Sequence, residues 1–409
     1  MKRNLSVGMI FLALIVALGV GSAVLSRRSA AEAAAVTAPR FEVDPLWPKP
    51  LPNHWLIGMT IGVSVDDRDH IWIIHRPGSL EANETHATTT PPTAQCCAPA
   101  PPVLEFDSAG NLLRHWGGSG NGYDWPLSNH GITIDFKGNV WIGGNGRGPG
   151  AALNESQVSG TVQSFHDNMV LKFTQDGKFL LQIGKPNRSK GSNDVDNLRL
   201  PAKTFVDPKT NELYVADGYG NRRVIVYDAE TGTYKRHWGA YGNKPDDTDL
   251  GRYDPNAPPA QQFRNPVHCV ELSRDGLLYV CDRANDRIQV FKPDGTFVKE
   301  AILNKFTLGS GSVWDIAFSR DAQQKYIFLA DGENNKVHIL DRESLEILTS
   351  FGDGGRQPGL FYGVHSIATD SKGNIYTTET YRGQRLQKFV YKGMAPVTKK
   401  DQGALWPKS

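Results

Sequence analysis

The sequence predicts an all-β fold, a six-bladed β-propeller. One unit of four short strands recurs six times along the chain, the mark of radially repeated sheets. Turn residues are abundant, with 42 Gly and 25 Pro in 409 residues. Beyond residue 30 no long stretch carries apolar residues at helical spacing, and short alternating runs bounded by Gly, Asp and Asn take their place.

The N-terminus comes first and stands apart. Lys2 and Arg3 precede an apolar run from Leu5 to Leu25, followed by Arg27, Arg28 and an Ala-rich stretch with small-residue cleavage sites such as Ala31–Ala33. This reads as a signal peptide over residues 1–35, or as a signal anchor if uncleaved, since a span needs ~20 apolar residues. Either way the globular part is exported: periplasmic, secreted or anchored by its N-terminus. Residues 36–54 form an N-terminal segment, 55–395 the propeller and 396–409 a tail.

Each unit is anchored on its second strand: Ile71–Arg76, Val140–Gly144, Leu213–Gly218, Leu278–Arg283, Ile327–Gly332 and Ile375–Thr380. A turn rich in Asp, Gly, Lys or Asn precedes each. A third strand follows, usually ending in an aromatic: Val103–Phe106, Val170–Phe173, Val224–Tyr227, Ile288–Phe291, Val337–Leu340 and Leu386–Phe389. The fourth strand often closes on Trp-Gly or Phe-Gly. The sixth unit runs out near Tyr391 with three clear strands, and Arg40–Asp44 is the candidate for its missing outer strand. Insertions at 77–102, 144–169 and 243–260 fall on one face, where they would wall a site.

Charge and cysteine content narrow the function. The net charge is +2, and losing residues 1–35 leaves 41 basic and 42 acidic residues, a net −1. A near-neutral chain without a basic stripe argues against a nucleic-acid partner. A monomer is expected, meeting a membrane only through its N-terminal segment. Cys269 and Cys281 lie on adjacent strands of one hairpin, either as a cross-strand disulfide or as two buried thiols. Cys96 and Cys97 sit side by side in a Pro-rich loop.

Three histidines share one register. His130, His268 and His365 each precede the second strand of their unit by ten residues, in units 2, 4 and 6. Alternate blades of a six-fold ring are related by ~120°, so these side chains converge on the axis. The equivalent positions in units 1, 3 and 5 are Ile61, Lys203 and Trp314. Three imidazoles with open positions are the ligand set of a catalytic metal site. The competing reading is a histidine tolerated on inner strands and copied by duplication, but duplication does not naturally alternate. His75 and His338 read as satisfied strand residues.

The second-to-third-strand turns share a D…N…R/K frame: Asp217, Asn221 and Arg223; Asp282, Asn285 and Arg287; Asp331, Asn334 and Lys336. The frame reads as scaffold, with Asp and Asn shaping the turn and the basic residue expected to pair with a neighbouring blade. Departures from it are the candidate site residues. Tyr219 is inserted, Arg283 replaces a Gly of the sibling copies, and Arg76 falls at the same register in unit 1. Around a metal they would offer a proton-transfer group and a carboxylate clamp.

Those residues match a family pattern. The stretch from Ile71 to Phe389 resembles the catalytic core of peptidylglycine amidating lyase, within the wider NHL-repeat propellers. The matching motifs are His75-Arg76, Asn129-His130-Gly131, Asp217 to Arg223, Val267-His268, Asp282 to Gln289 and Val364-His365. The resemblance implies zinc on His130, His268 and His365, with iron or copper as alternatives. It also implies Tyr219 as base on the substrate hydroxyl, and Arg76 and Arg283 holding the substrate carboxylate. The implied reaction cleaves the N–C bond of a carbinolamide to an amide and a glyoxylate-like acid, on a small peptide or peptide-like substrate. There are departures. Gly363 stands where the family has methionine. Ser366 stands where it has an acidic calcium ligand, which argues against a structural calcium. The 77–102 insertion is not the family's.

An exported zinc lyase is the preferred reading. The alternative is a non-catalytic NHL propeller binding a peptide, glycan or protein partner on its loop-rich face. A lactonase-like hydrolase is a third, less suited because that chemistry uses axial carboxylates and Asn with calcium.

Overall fold

A computed structural model describes residues 36–147 and 166–407. The predicted leader over 1–35 and most of the 144–169 insertion lie outside the described residues.

Six four-stranded antiparallel sheets stand around a central axis. In blade 1 the strands are Met59–Val65, Ile71–Arg76, Val103–Phe106 and Leu112–Trp116. Blade 2 runs Asn129–Ile134, Val140–Gly144, Met169–Phe173 and Phe179–Gly184. Blades 3, 4 and 5 follow with inner strands Lys203–Val206, Val267–Leu272 and Asp315–Phe318. Blade 6 contributes Val364–Thr369, Ile375–Glu379 and Arg385–Pro396. Its outer strand is Thr37–Asp44 from the other end of the chain, paired antiparallel with Phe41 opposite Tyr391 and Asp44 opposite Lys388. Joining first and last strands in one sheet closes the ring and removes the open edges that would invite aggregation.

The alternating apolar residues form the core because each sheet buries both faces against its neighbours. Tyr279, Cys281 and Ile288 of blade 4 pack on Ile316, Ile327 and Leu329 of blade 5. Phe41 bridges the closure, buried against Phe328 at 5.3 Å and Phe351 at 5.8 Å between ring centroids. Cys269 pairs with Cys281 in register and is bonded to it, with Cα atoms 4.8 Å apart. Cys96 is bonded to Cys97. Among the described residues no helix is long and apolar enough to cross a membrane.

The turn frame is scaffold, with one correction. Arg223 and Arg287 pair with the Asp of their own turn, not with a neighbouring blade, whereas Lys336 reaches Asp401 of the C-terminal tail. Arg223 Nε donates to Asp217 Oδ2 at 2.8 Å, and Arg287 Nε to Asp282 Oδ2 at 2.7 Å. The reason is register: Asp217 faces Arg223 and Asp282 faces Arg287 across the hairpin. The remaining guanidinium hydrogens go to the incoming loop, as from Arg223 to the carbonyls of Ser192 and Asn197. Asn221 and Asn285 complete each carboxylate cradle at 2.7 and 2.8 Å.

Candidate metal centre

The three histidines enter the axis at irregularities of the inner strands. The register slips between Val267 and Cys269 around His268, between Val364 and Ser366 around His365, and just after His130. A β-bulge of this kind re-aims a side chain. Gly131 is required at the one in blade 2. Its φ is +72°, and a Cβ there would stand 2.3 Å from the Ala202 carbonyl oxygen.

Each imidazole is anchored to the blade that follows. Nδ1 of His130 meets the Ala202 carbonyl at 2.8 Å, Nδ1 of His268 the Trp314 carbonyl at 2.5 Å, and Nδ1 of His365 the Ile61 carbonyl at 2.8 Å. A carbonyl only accepts, so Nδ1 carries the proton and Nε2 is left as a lone-pair donor. The three ligand atoms lie within 4.8 Å of one another, and the rings are 4.8–5.1 Å apart between centroids. Here the register is sharpened. The blade 3 equivalent of the histidines is Ala202, not Lys203, because the turn after its inner strand is one residue longer: Asp207 N bonds Glu212 O, where blade 2 bonds Asp135 N to Asn139 O.

Electrostatics keep the imidazoles neutral. Burial, then the Arg76 and Arg283 charges, lowers His130 to about 3. Burial, then Arg283, holds His268 well below the usual histidine range, and burial, then His130, does the same for His365. A buried, neutral, outward-anchored His₃ set fits a divalent transition metal with open positions. A second group, Asp66, His70 and Glu105, does not. The Arg68 guanidinium already sits 2.6 Å from Asp66 and 3.3 Å from Glu105, making an ion-pair network.

Tyr219, Arg283 and Arg76 gather above the ring. Tyr219 Oη lies 3.1 Å from Nε2 of both His130 and His268. Arg283 Nη1 donates to the same oxygen at 3.1 Å, and its guanidinium carbon lies 4.4 Å from the centre of the Trp314 ring. Gly218 lets this turn press on blade 4, since a Cβ there would stand 2.1 Å from the Val267 carbonyl oxygen. Arg76, 6% exposed, donates from Nε to the Asn129 carbonyl at 3.1 Å and from Nη2 to Asn145 Oδ1 at 2.8 Å. His130, His268, His365, Tyr219 and Arg283 therefore meet at the axis, and Arg76 lies beside them, near enough for its charge to act on His130 and His365. His75 and His338 are held by strand and loop partners, with His75 between Gly58 N and Pro101 O.

Sequence reasoning missed four contributors. Trp314 backs His268, His365 and Arg283. Arg147 Nη2 donates to the Tyr219 carbonyl at 3.0 Å. Asn145 grips Arg76. Asp167 accepts Leu127 N, Ser128 N and Gly146 N at 2.6–3.1 Å. Burial raises its carboxyl to about 7, against those bonds and the Arg76 charge. The signal was there in Gly144, which stands where siblings have the turn Asp. A Cβ on Gly144 would lie 2.6 Å from Asp167 Oδ2, so Asp167 supplies that carboxylate from the segment leading into the third strand. Gly363 also has a local reason. A Cβ there would meet the Tyr381 ring at 2.8 Å, so an aromatic from blade 6 fills that wall.

No protein-family model matches the chain. Among curated proteins, it is 24% identical to the mouse protein named NHL repeat-containing protein 3 over 318 residues, 76% of this chain and 70% of that protein. It is 30% identical over 257 residues to peptidyl-glycine alpha-amidating monooxygenase B of Xenopus laevis, 62% of this chain but only 25% of that longer protein. With Drosophila melanogaster peptidyl-alpha-hydroxyglycine alpha-amidating lyase 2 the identity is 25% over 285 residues, 66% of this chain and 57% of that one. The chain is a propeller resembling the NHL-repeat proteins and the amidating lyases. Among solved structures, streptogramin B lyase matches at a TM-score of 0.50 with 10% identity, covering 87% of this chain and 98% of that one, a likeness of fold alone.

Proposed function

We propose that this chain is an exported, zinc-dependent lyase of the peptidyl-α-hydroxyglycine amidating-lyase type. The observation that carries the reading is the convergence of three outward-anchored, neutral histidines with the Tyr219 hydroxyl 3.1 Å from two of them. His130, His268 and His365 would hold the metal; iron or copper would suit the same donors. Zinc, when bound, supplies Lewis acidity and a template for the substrate oxygen.

The protein's own groups do the rest. Arg283 and Arg76 bind the substrate carboxylate by charge-assisted hydrogen bonds. Tyr219 takes the proton from the carbinol hydroxyl, the N–C bond breaks, and the same proton goes to the departing amide nitrogen. The products are a primary amide and an aldehyde acid, with no net proton change. Arg283, donating to Tyr219 Oη, favours the phenolate needed for the first transfer. A small carboxylate-terminated peptide is the substrate class, and the chain acts as a monomer. The apolar run and basic flank of residues 1–35 support export.

A second reading, a non-catalytic propeller binding a partner on its loop-rich face, is favoured by the match along 70% of NHL repeat-containing protein 3. Metal analysis followed by assay of an α-hydroxyglycine-extended peptide separates the two. Less than ~0.3 transition metal per chain after mild purification, or metal without turnover, removes the lyase.

A further inference from the structure

Behind the histidine ring the channel is crossed by a buried charge cluster outside the site already described. Lys203 Nζ lies 2.6 Å from Asp315 Oδ1 and 2.7 Å from Glu271 Oε1. Asp315 Oδ2 accepts the Ser366 hydroxyl at 2.7 Å and Ile367 N at 3.2 Å, and Ser366 Oγ accepts Val63 N at 3.3 Å. These contacts run from blade 3 through blades 4, 5 and 6 to blade 1. The side chains of Lys203 and Asp315 are 10% and 3% exposed. Burial alone would depress the lysine, but the Asp315 and Glu271 carboxylates outweigh it and hold Lys203 above its ordinary range. An ammonium kept charged here, between the histidines and a cavity of about 610 Å³ lined by the first-to-second-strand turns, needs a reason.

The reason lies one residue along the backbone. Lys203 follows Ala202, whose carbonyl orients His130. Asp315 follows Trp314, whose carbonyl orients His268. Ser366 follows His365. The cluster therefore ties together the peptide units that aim His130 and His268 and joins them to the residue that follows His365. We propose that Lys203 is a built-in channel cation, and that its pairing with Asp315 makes both of them positioning residues for the metal centre. This inference rests on reading the histidine group as a metal site. Groups that orient ligating histidines are typically worth 10- to 100-fold in metal affinity.

The test uses the full mature chain with Asp315→Asn and Lys203→Met, measuring the zinc dissociation constant by chelator competition, the visible d–d spectrum with cobalt, and the melting temperature. Asp315→Asn leaves Lys203 paired with Glu271 and so decides the matter if Lys203→Met fails to fold. The expected result is about 10- to 100-fold weaker zinc binding and an altered cobalt spectrum in the folded variants. A purely structural tie would lower the melting temperature alone. Zinc affinity within about twofold of wild type, with an unchanged cobalt spectrum, overturns the inference. Wild-type protein that binds neither ion sinks the metal reading itself, a different failure.

Discussion

The Arg283 guanidinium donates to the Tyr219 hydroxyl across 3.1 Å while stacking over Trp314. One cation thus serves the hydroxyl proposed for proton transfer and is itself held by an aromatic face. Tyr219→Phe is expected to keep zinc binding and lose about 100-fold or more in turnover of an α-hydroxyglycine peptide. Equal rates in the two proteins would remove Tyr219 as base.

Zinc affinity should depend on Gly131 as well as on the ligands. Any Cβ at this position collides with the Ala202 carbonyl that anchors His130. Gly131→Ala is expected to weaken zinc about 10- to 100-fold, and His130→Ala by more. Competition with a chromophoric chelator measures both, and an unaffected Gly131→Ala protein would show that the anchor is dispensable.

The metal-free protein should be acid-labile. Burial lowers His75 to about 4, and burial with the Arg76 and Arg283 charges lowers His130 to about 3, against an ordinary 6.5. The unfolded chain therefore takes up protons that the folded state refuses. The stability contribution is full above pH 6.5 and declines as pH falls toward 4 and 3. Melting temperature should drop between pH 7.5 and 4.5, the loss from the buried histidines, His268 and His365 included, exceeding the opposite gain from Asp167, which takes up its proton in the folded state. A flat profile would mean these imidazoles protonate in place.

Closure of the ring hangs on a strand distant in sequence. Phe41→Ala removes a ring buried against Phe328 and Phe351, at a cost of about 3–5 kcal/mol. Denaturant titration measures this, and a loss under about 1 kcal/mol would mean that the outer strand is held by hydrogen bonds alone.

The Cys269–Cys281 bond spans 12 residues. Replacing both cysteines with alanine should cost about 3 kcal/mol on the loop-entropy account. Oxidised protein should show no reactive thiol at these positions, and two titratable thiols there would restore the alternative of buried free cysteines.

Much of this was legible in the residues. Period-two strands, Asp/Gly turns and six equal units determine the propeller, because each small sheet buries its faces only against another copy. The ten-residue spacing places His130, His268 and His365 on one axis, since a repeat converts distance along the chain into position in the ring. Tyr219, Arg76 and Arg283 were visible as departures from a repeated frame. What escaped was whatever the frame could not index. Asp167 supplies a carboxylate from the segment leading into the third strand, and Arg147 and Asn145 act from loop positions.

The sequence by itself determined the fold, the alternation of histidines and the residues that break the repeat. Only the tertiary structure decided how those imidazoles are aimed. Nδ1 is anchored by carbonyls of the next blade, and Lys203, expected on the histidine register but one residue past it, meets Asp315 across the channel. These are contacts between blades. The repeat describes one blade at a time, whereas hydrogen bonds and burial act across the axis, where six different copies meet.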